Sequence, residues 1–352
     1  MFYYKLIYEE GAKMKRVSFI KMKDTIAKAL IKKGYGEEKA LESANLFATS
    51  SLEGVHSHGL NRVPRLINYI ENGWININGE PILIDSNKFI KRYNGDLGPG
   101  DLNAKYCMDQ AINLAQTETI GVVTLNNTNH WMRGGNYGWQ AVKAGFIGIC
   151  WTNTESSMPP WGSKEPKVGN NPLVLGVPNL NQPVVLDTAM SQFSYGKLQV
   201  TRLNNETLPV DGGFNKKGQP TKIPEEIEQT KRLLPMGYWK GSGLTFLLDL
   251  IVSILSGGRS TANLDELKPE EHVSGYGVSQ IFIAINPESL SGKQFTQEVV
   301  DNAISHMKDA DLAEGFKEIN FPGENTTKRR KENMEKGIPV DSNIWEKVSS
   351  YT

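Results

Sequence analysis

Two of the chain's five histidines fall in the octet VHSHGLNR, residues 55–62, two positions apart and with an arginine close behind. His58 and Arg62 are four residues apart, the spacing that puts two side chains on one face of a helix. An imidazole has an unperturbed pKa of about 6.5, so it can give a proton to a carbonyl oxygen as hydride reaches the carbon. A guanidinium can hold a carboxylate through two parallel hydrogen bonds. Together they suit reduction of an acidic keto-sugar. Taken alone, the His-x-His pair reads also as a surface or helix-start feature.

Three further stretches carry candidate chemistry. In NTNHWMRGGNYGWQ, residues 127–140, His130 and Arg133 stand in a glycine-rich bend among Trp131, Tyr137 and Trp139, a composition suited to the wall of an anionic pocket. His130 reads also as a hydrogen-bonded core histidine. In LPMGYWKGSG, residues 234–243, Gly241 and Gly243 let backbone amides approach an anion at the start of an apolar helix over 244–255. Lys240 adds a full charge and Trp239 a flat face; the alternative is a glycine turn with Trp239 packed inside. Asp187 closes the run PVVLD, where it can orient an imidazole, bind ribose hydroxyls or cap a turn.

Other chemistries find little support. No GxGxxG follows a strand and there is no Walker A run, so a Rossmann domain is not indicated. His272 and His306 lack cysteines or paired carboxylates at metal spacing, so no metal is expected. No GxSxG or Cys–His arrangement speaks for nucleophilic hydrolysis.

The elements that must position these residues change character along the chain. Residues 18–33 read as a helix capped by Ser18, with Met22, Ile26, Ala29 and Leu30 as its stripe. A second spans about 37–53 on Leu41, Ala44, Ala48 and Leu52. A third follows the histidines and ends near Gly73. From about residue 80, strand-like runs appear at 121–125, 146–152, 173–178, 183–187 and 280–285, with helical patterns at 101–116, 137–144 and 296–310. Adjacent strands without a helix-length gap favour antiparallel pairing. Residues 203–235 read as a long polar excursion.

At 352 residues the chain is long enough for two domains. Its 39 basic and 39 acidic residues balance, which speaks against nucleic acid or a membrane surface as partner. Cys107 and Cys150 sit in apolar contexts and read as core residues in a reducing cytoplasm. The apolar stretch 244–255 is short for a bilayer span, and Asp249 interrupts it.

The pieces VHSHGLNR, NHWMRGGNYGWQA, ICWTN, MPPWG, FSYGKLQV, LPVDGGF and LPMGYWKGSG together resemble the malate/L-lactate dehydrogenase family that lacks the Rossmann fold. WMRGG and YWKGSG are the narrower marks and point to a sugar-acid branch. The likeness is strongest over 54–243 and weaker from Met14 to near Val348.

The resemblance implies an α+β fold with a largely antiparallel nicotinamide-binding sheet, flanking helices and a helical domain. Residues 14–80 with 300–352 would form the helical domain, 81–299 the NAD(P)H-binding domain, and 1–13 an extension. It also implies an NAD(P)H-dependent reductase in which His58 of SHG is the proton donor, with NADH as cofactor and NADPH the alternative. Cofactor contacts map to Pro183, Val184, Val185, Leu186, Asp187, Thr188 and Ala189, to Trp239 and Lys240, and to Gly323, Glu324 and Asn325. Arg62, His130 and Arg133 are the candidates for the keto-acid substrate, and a homodimer is implied. The family's GTNP reads GNNP here, with Asn170 for threonine, and the GHE of the related reductases reads GEN at 323–325. Malate, L-lactate or ureidoglycolate dehydrogenase activity is the alternative within the family. A sugar-acid binding protein without turnover is the alternative outside it.

Overall fold

The computed structural model describes residues 14–203, 205–267 and 275–352; residues 1–13 and His272 lie outside these. Strand β1 (Met14–Val17) leads into α1 (Phe19–Lys32), which starts where Ser18 accepts a hydrogen bond from the Lys21 N–H and buries Met22, Ile26, Ala29 and Leu30 as the spacing predicts. Helix α2 (Glu37–Leu52) buries Ala40, Ala44, Phe47 and Ala48. Leu41, expected on that stripe, faces solvent. Helix α3 (Val63–Glu71) has Pro64 in its first turn, where a fixed φ costs no hydrogen bond, and buries Val63, Leu66 and Ile67.

The second part begins with a hairpin, β2 (Ile82–Ser86) and β3 (Ile90–Asn94). Then follow α4 (Gly100–Glu118), β4 (Ile120–Asn129), α5 (Gly135–Lys143), β5 (Ile147–Thr152), β6 (Leu173–Val177), β7 (Val184–Thr188) and α6 (Tyr195–Leu203). The polar excursion contains a two-residue pair, β8 (Gly213–Phe214) with β9 (Pro220–Thr221), and a short α7 (Pro224–Thr230). Helices α8 (Trp239–Ser256) and α9 (Thr261–Glu266) precede β10 (Tyr276–Ile285). The chain closes with α10 (Pro287–Ser291), α11 (Lys293–Lys308), α12 (Glu324–Lys336), β11 (Ile338–Asp341) and α13 (Ser342–Ser349).

The main sheet has seven strands in the order β2-β3-β4-β10-β5-β6-β7. Every pairing in it is antiparallel except β3 with β4. That is an α+β sheet and not the parallel, doubly wound sheet of a Rossmann domain. Side chains alternate along β10, so the strand serves two cores. Phe282 and Ala284 join Cys107, Trp131, Tyr137 and Cys150 beneath α4 and α5. Ile281 joins Trp151, Leu248 and Val252 beneath α8. Both cysteines are free and buried, as expected.

A third core gathers α1, α2 and α3 with Ile338, Val340, Trp345 and Val348 from the chain's end. Antiparallel pairing of β1 with β11 ties the two ends of that unit together. Helix α11 and Phe321 pack with Val177 and Val184 at the β6–β7 edge of the sheet.

Helix α8 begins at Trp239, five residues before the predicted start, and reaches 18 residues, long and apolar enough for a membrane span by composition. Its Leu248 and Val252 are buried on the sheet. Asp249 is fixed by the Asn153 side chain and the Thr261 N–H. The helix is thus a cover of the sheet.

Candidate active site

The segment between α2 and α3 is not one helix. His56–His58 and Leu60–Arg62 form two short 3₁₀ turns, split at Gly59. The glycine is required by close approach, because a Cβ there would lie 2.1 Å from Ser51 Oγ. Ser51 Oγ also accepts from the Leu60 N–H at 2.8 Å, so the end of α2 sets the path of the turn. The expected helical face is therefore absent, but His58 and Arg62 still converge.

His58 stacks on His130, ring centroids 5.7 Å apart and planes within 16°. His130 lines a small cleft with Arg62, Arg65, Leu66, Tyr69, Ile75, Asn129 and Met132.

Hydrogen bonds orient both rings. His130 Nδ1 accepts from the Met132 N–H at 2.9 Å, which leaves Nε2 to carry the proton in the neutral ring. The Ser57 hydroxyl lies 3.1 Å from His58 Nδ1, and His58 Nε2 has no partner among the described residues. Removal from water, then the positive charges of Arg62 and Arg133, push the His58 pKa down to about 3. Burial, then Arg62, His58 and Arg65, hold His130 well below its usual value.

The two arginines expected at the substrate differ. Among the described residues no carboxylate pairs with Arg62, whose pKa is lowered to about 10 by burial and then by Arg65, against a favourable field from Tyr69 and Glu155. Arg133 turns into the interior, 5% exposed, and donates to Glu53. Trp131 and Tyr137 do not wall the pocket. Both are core residues packed on Phe282, with the Tyr137 hydroxyl bonded to the Trp131 carbonyl. Arg65 and Tyr69, which the sequence reading passed over, stand on the cavity side of α3 and share a hydrogen bond of 2.9 Å. Arg65 follows Arg62 by three residues, a spacing that could have pointed to it.

The stretches that the resemblance maps to the cofactor are linked by backbone contacts. Strand β7 is an edge of the sheet, and its Val185 N–H donates to the Pro322 carbonyl at 3.1 Å. Gly323, with φ +94°, lies so close to β7 that a Cβ would sit 3.1 Å from the Val185 nitrogen. Beyond β7, Met190 and Gln192 exchange backbone hydrogen bonds with Met236 and Leu234, which carries the chain to Trp239 and Lys240 at the start of α8. The Trp239 indole is 64% exposed. A flat exposed ring beside an exposed lysine at a helix start fits a nicotinamide dinucleotide.

Two details differ from expectation. The Gly241 N–H is used within the turn, bonded to the Met236 carbonyl, and the glycine is needed because a Cβ would lie 2.2 Å from that oxygen. Asp187 Oδ2 accepts from the Gly135 N–H at 2.8 Å, so of its three readings the described partner is a helix start. Glu324 is held by Lys308 and Lys328. His306 lies in the last turn of α11, and no metal-ligand cluster occurs among the described residues.

Residues 17–349 match the family model described as malate/L-lactate dehydrogenase. The chain belongs to the malate/L-lactate dehydrogenase family. It is an oxidoreductase, and family membership implies a nicotinamide cofactor. Relatives within the family include the 2,3-diketo-L-gulonate reductase of Citrobacter koseri, 44% identical over 95% of this chain and 99% of that protein. The reductase of the same name from Escherichia coli is 44% identical over the same shares of the two chains. Family structures of similar fold include malate dehydrogenase from Entamoeba histolytica, with TM-score 0.91 and 25% identity over 96% of this chain and 97% of that one. Sulfolactate dehydrogenase from Methanocaldococcus jannaschii gives 0.84 and 30% over 96% of each.

The depressed histidines make a prediction about stability. His56, near 4 through burial and then Arg329, joins His58 and His130 in resisting protonation while folded. The unfolded chain binds these protons at about pH 6.5. Between that pH and the lower folded values the unfolded state holds more protons, so these groups cost stability as pH falls. Melting temperature should drop from pH 7 to 5, less steeply in a His58→Asn variant. Parallel curves for the two proteins would contradict this assignment.

Proposed function

We propose that this chain is a cytoplasmic, NADH-dependent 2,3-diketo-L-gulonate reductase that forms 3-keto-L-gulonate. The observation that carries the reading is Arg62, a guanidinium without a carboxylate partner among the described residues, in a small cavity beside two stacked histidines. An unneutralised cation in a confined site favours an anionic ligand. The relatives' shared name supports the choice of acid.

A nicotinamide held along 183–189, 239–240 and 323–325 would supply the hydride. His58 donates the proton to the new alkoxide and Arg62 holds the carboxylate. His130 packs against His58, and Arg133 contributes its field from behind. Arg65 and Tyr69 offer hydrogen bonds to a hydroxylated tail.

In the free enzyme the His58 imidazole is neutral. A carboxylate arriving at Arg62 offsets one of the charges that disfavour the imidazolium, so substrate and proton bind together. Calorimetry in two buffers of different ionisation enthalpy should show proton uptake on keto-acid binding.

A panel of keto-acids with NADH and NADPH tests the reading. The highest kcat/KM is expected for 2,3-diketo-L-gulonate with NADH. Equal or better turnover of oxaloacetate or pyruvate would leave only the family-level activity, and no loss of nicotinamide absorbance would favour a binding protein. Lys240→Met should raise KM for NADH more than for the keto-acid, since an exposed lysine at a helix start suits a pyrophosphate. A rise confined to the keto-acid's KM would move Lys240 to the substrate site.

The free face of α8, with Leu247, Ile251 and Ile254 exposed, is where a second copy would dock. Sedimentation at the mass of one chain would reject that dimer.

A further inference from the structure

We infer that Glu53 is the positioning residue that joins the cofactor stretch at the start of α12 to the His58 turn, through Arg330 on one side and Arg133 on the other. The inference rests on the proposed reductase reading. Glu53 follows the last residue of α2, five residues before His58, and is 2% exposed. One of its oxygens accepts from Arg133, in the loop after β4. The other accepts from Nε and Nη2 of Arg330, in α12, with the Nε contact at 2.8 Å.

Arg330 also lies over the Trp139 ring, 4.9 Å from its centroid. One turn further along α12, Asn333 Nδ2 donates to the Leu52 carbonyl at 2.8 Å. Helix α12 is thus fastened to the end of α2 at two points. Its other end starts at Gly323, flush against Val185 of β7. A rigid helix therefore runs from the cofactor stretch to Glu53.

Arg133 completes the path. Its Nε is buried without a hydrogen-bond partner, and a Cβ on Gly135 would lie 3.2 Å from that nitrogen and 2.8 Å from Asp187 Oδ2. The arginine thus stands between Glu53 and the cofactor strand, and its charge is felt at His58. Apolar side chains could hold these elements together without the desolvation cost of burying three charges. What a carboxylate adds is a fixed geometry for two guanidiniums and a negative charge that limits the field of Arg133.

The groups around His58 are Ser57 and Arg62 on its own turns and His130 and Arg133 from the loop after β4. Arg65 and Tyr69 on α3 and Glu155 after β5 act on Arg62, Glu155 also acts on Tyr195 of α6, and Gly196 of α6 lies against Ser57.

The test uses the full chain with Glu53→Gln, Glu53→Asp and Arg330→Met, each checked for folding by melting temperature. In the parent protein NADH should slow amide hydrogen exchange over both 324–333 and 54–62. In Arg330→Met the slowing should persist at 324–333 and vanish at 54–62. Glu53→Gln should lose roughly tenfold to a hundredfold in kcat, the scale of a misplaced catalytic group. Its KM for the keto-acid should change less. The alkaline-limb midpoint of its kcat/KM profile, where the proton donor is lost, should move to lower pH, because an unopposed Arg133 disfavours the imidazolium. Glu53→Asp should keep the midpoint and recover most of the turnover.

Slowing at 54–62 that survives in Arg330→Met, or a Glu53→Gln enzyme with parental kcat and midpoint, would overturn the inference. If Glu53→Gln fails to fold, the exchange result in Arg330→Met decides. A parent protein that binds NADH but reduces no keto-acid would sink the reductase reading, and the exchange measurements would still decide the role of Glu53.

Discussion

Replacing His58 by asparagine is expected to lower kcat by about 10²–10⁴-fold, the usual contribution of a positioned acid or base, while NADH still binds. The argument is geometric. His58 and His130 are both engaged at Nδ1, by the Ser57 hydroxyl and the Met132 N–H, which leaves Nε2 of each ring to face a ligand, and His58 is the one that stands in the SHG turn with Arg62. Asparagine keeps a polar group of similar reach but cannot deliver a proton. Stopped-flow measurement of NADH oxidation, with a separate titration of NADH binding, separates the two effects. Near-parental turnover would remove His58 from the chemistry and leave His130 as the ring to test.

Arg62→Ala should be nearly as severe, for a different reason. Leaving a substrate carboxylate in the cavity without its guanidinium costs roughly 2–5 kcal/mol, and the loss should fall on kcat/KM. Lysine should rescue in part, because it keeps the charge but lacks the planar fork. The same substitution has a second, opposite signature. After burial, Arg62 is the next contributor to the depressed pKa of His58. Removing that positive charge favours the imidazolium, so the His58 pKa should rise in the free Arg62→Ala protein even as activity falls. An NMR titration of His58 reads this directly. A pKa that stays put would show that Arg62 and His58 do not share a field, and the single-pocket picture would fail with it.

The sequence carried the site's residues better than its geometry. VHSHGLNR pointed to His58 and Arg62, and the structure brings them together with His130. It did so on two 3₁₀ turns, because a close approach to Ser51 demands glycine at position 59 and breaks the helix there. Helix spacing alone could not see that contact.

Trp131 and Tyr137 looked like pocket walls because aromatic residues serve cores and binding sites equally well; only their packing on Phe282 decides between the two. The Glu53–Arg330 pair was invisible for a simpler reason, since 277 residues separate its members. Strands β2 and β3 escaped notice because most of their residues are solvent-exposed or half-exposed, so the alternation that marks a half-buried strand is missing. The core strands were legible from their apolar runs, although their ends moved by a few residues.

The position of β10 bears on how the chain reaches this state. The strand lies at the centre of the sheet between β4 and β5, yet it is the last of the seven in sequence. Until residues 276–285 are available, β4 and β5 have no shared neighbour, and each exposes an unpaired edge to other chains. Pairings this distant must close long loops before they yield contacts, which slows folding. During synthesis the sheet cannot be completed until about four-fifths of the chain has been made, so the early strands need protection from aggregation in the interval. A chain cut short before β10 would lose the seam that holds the two halves of the sheet together.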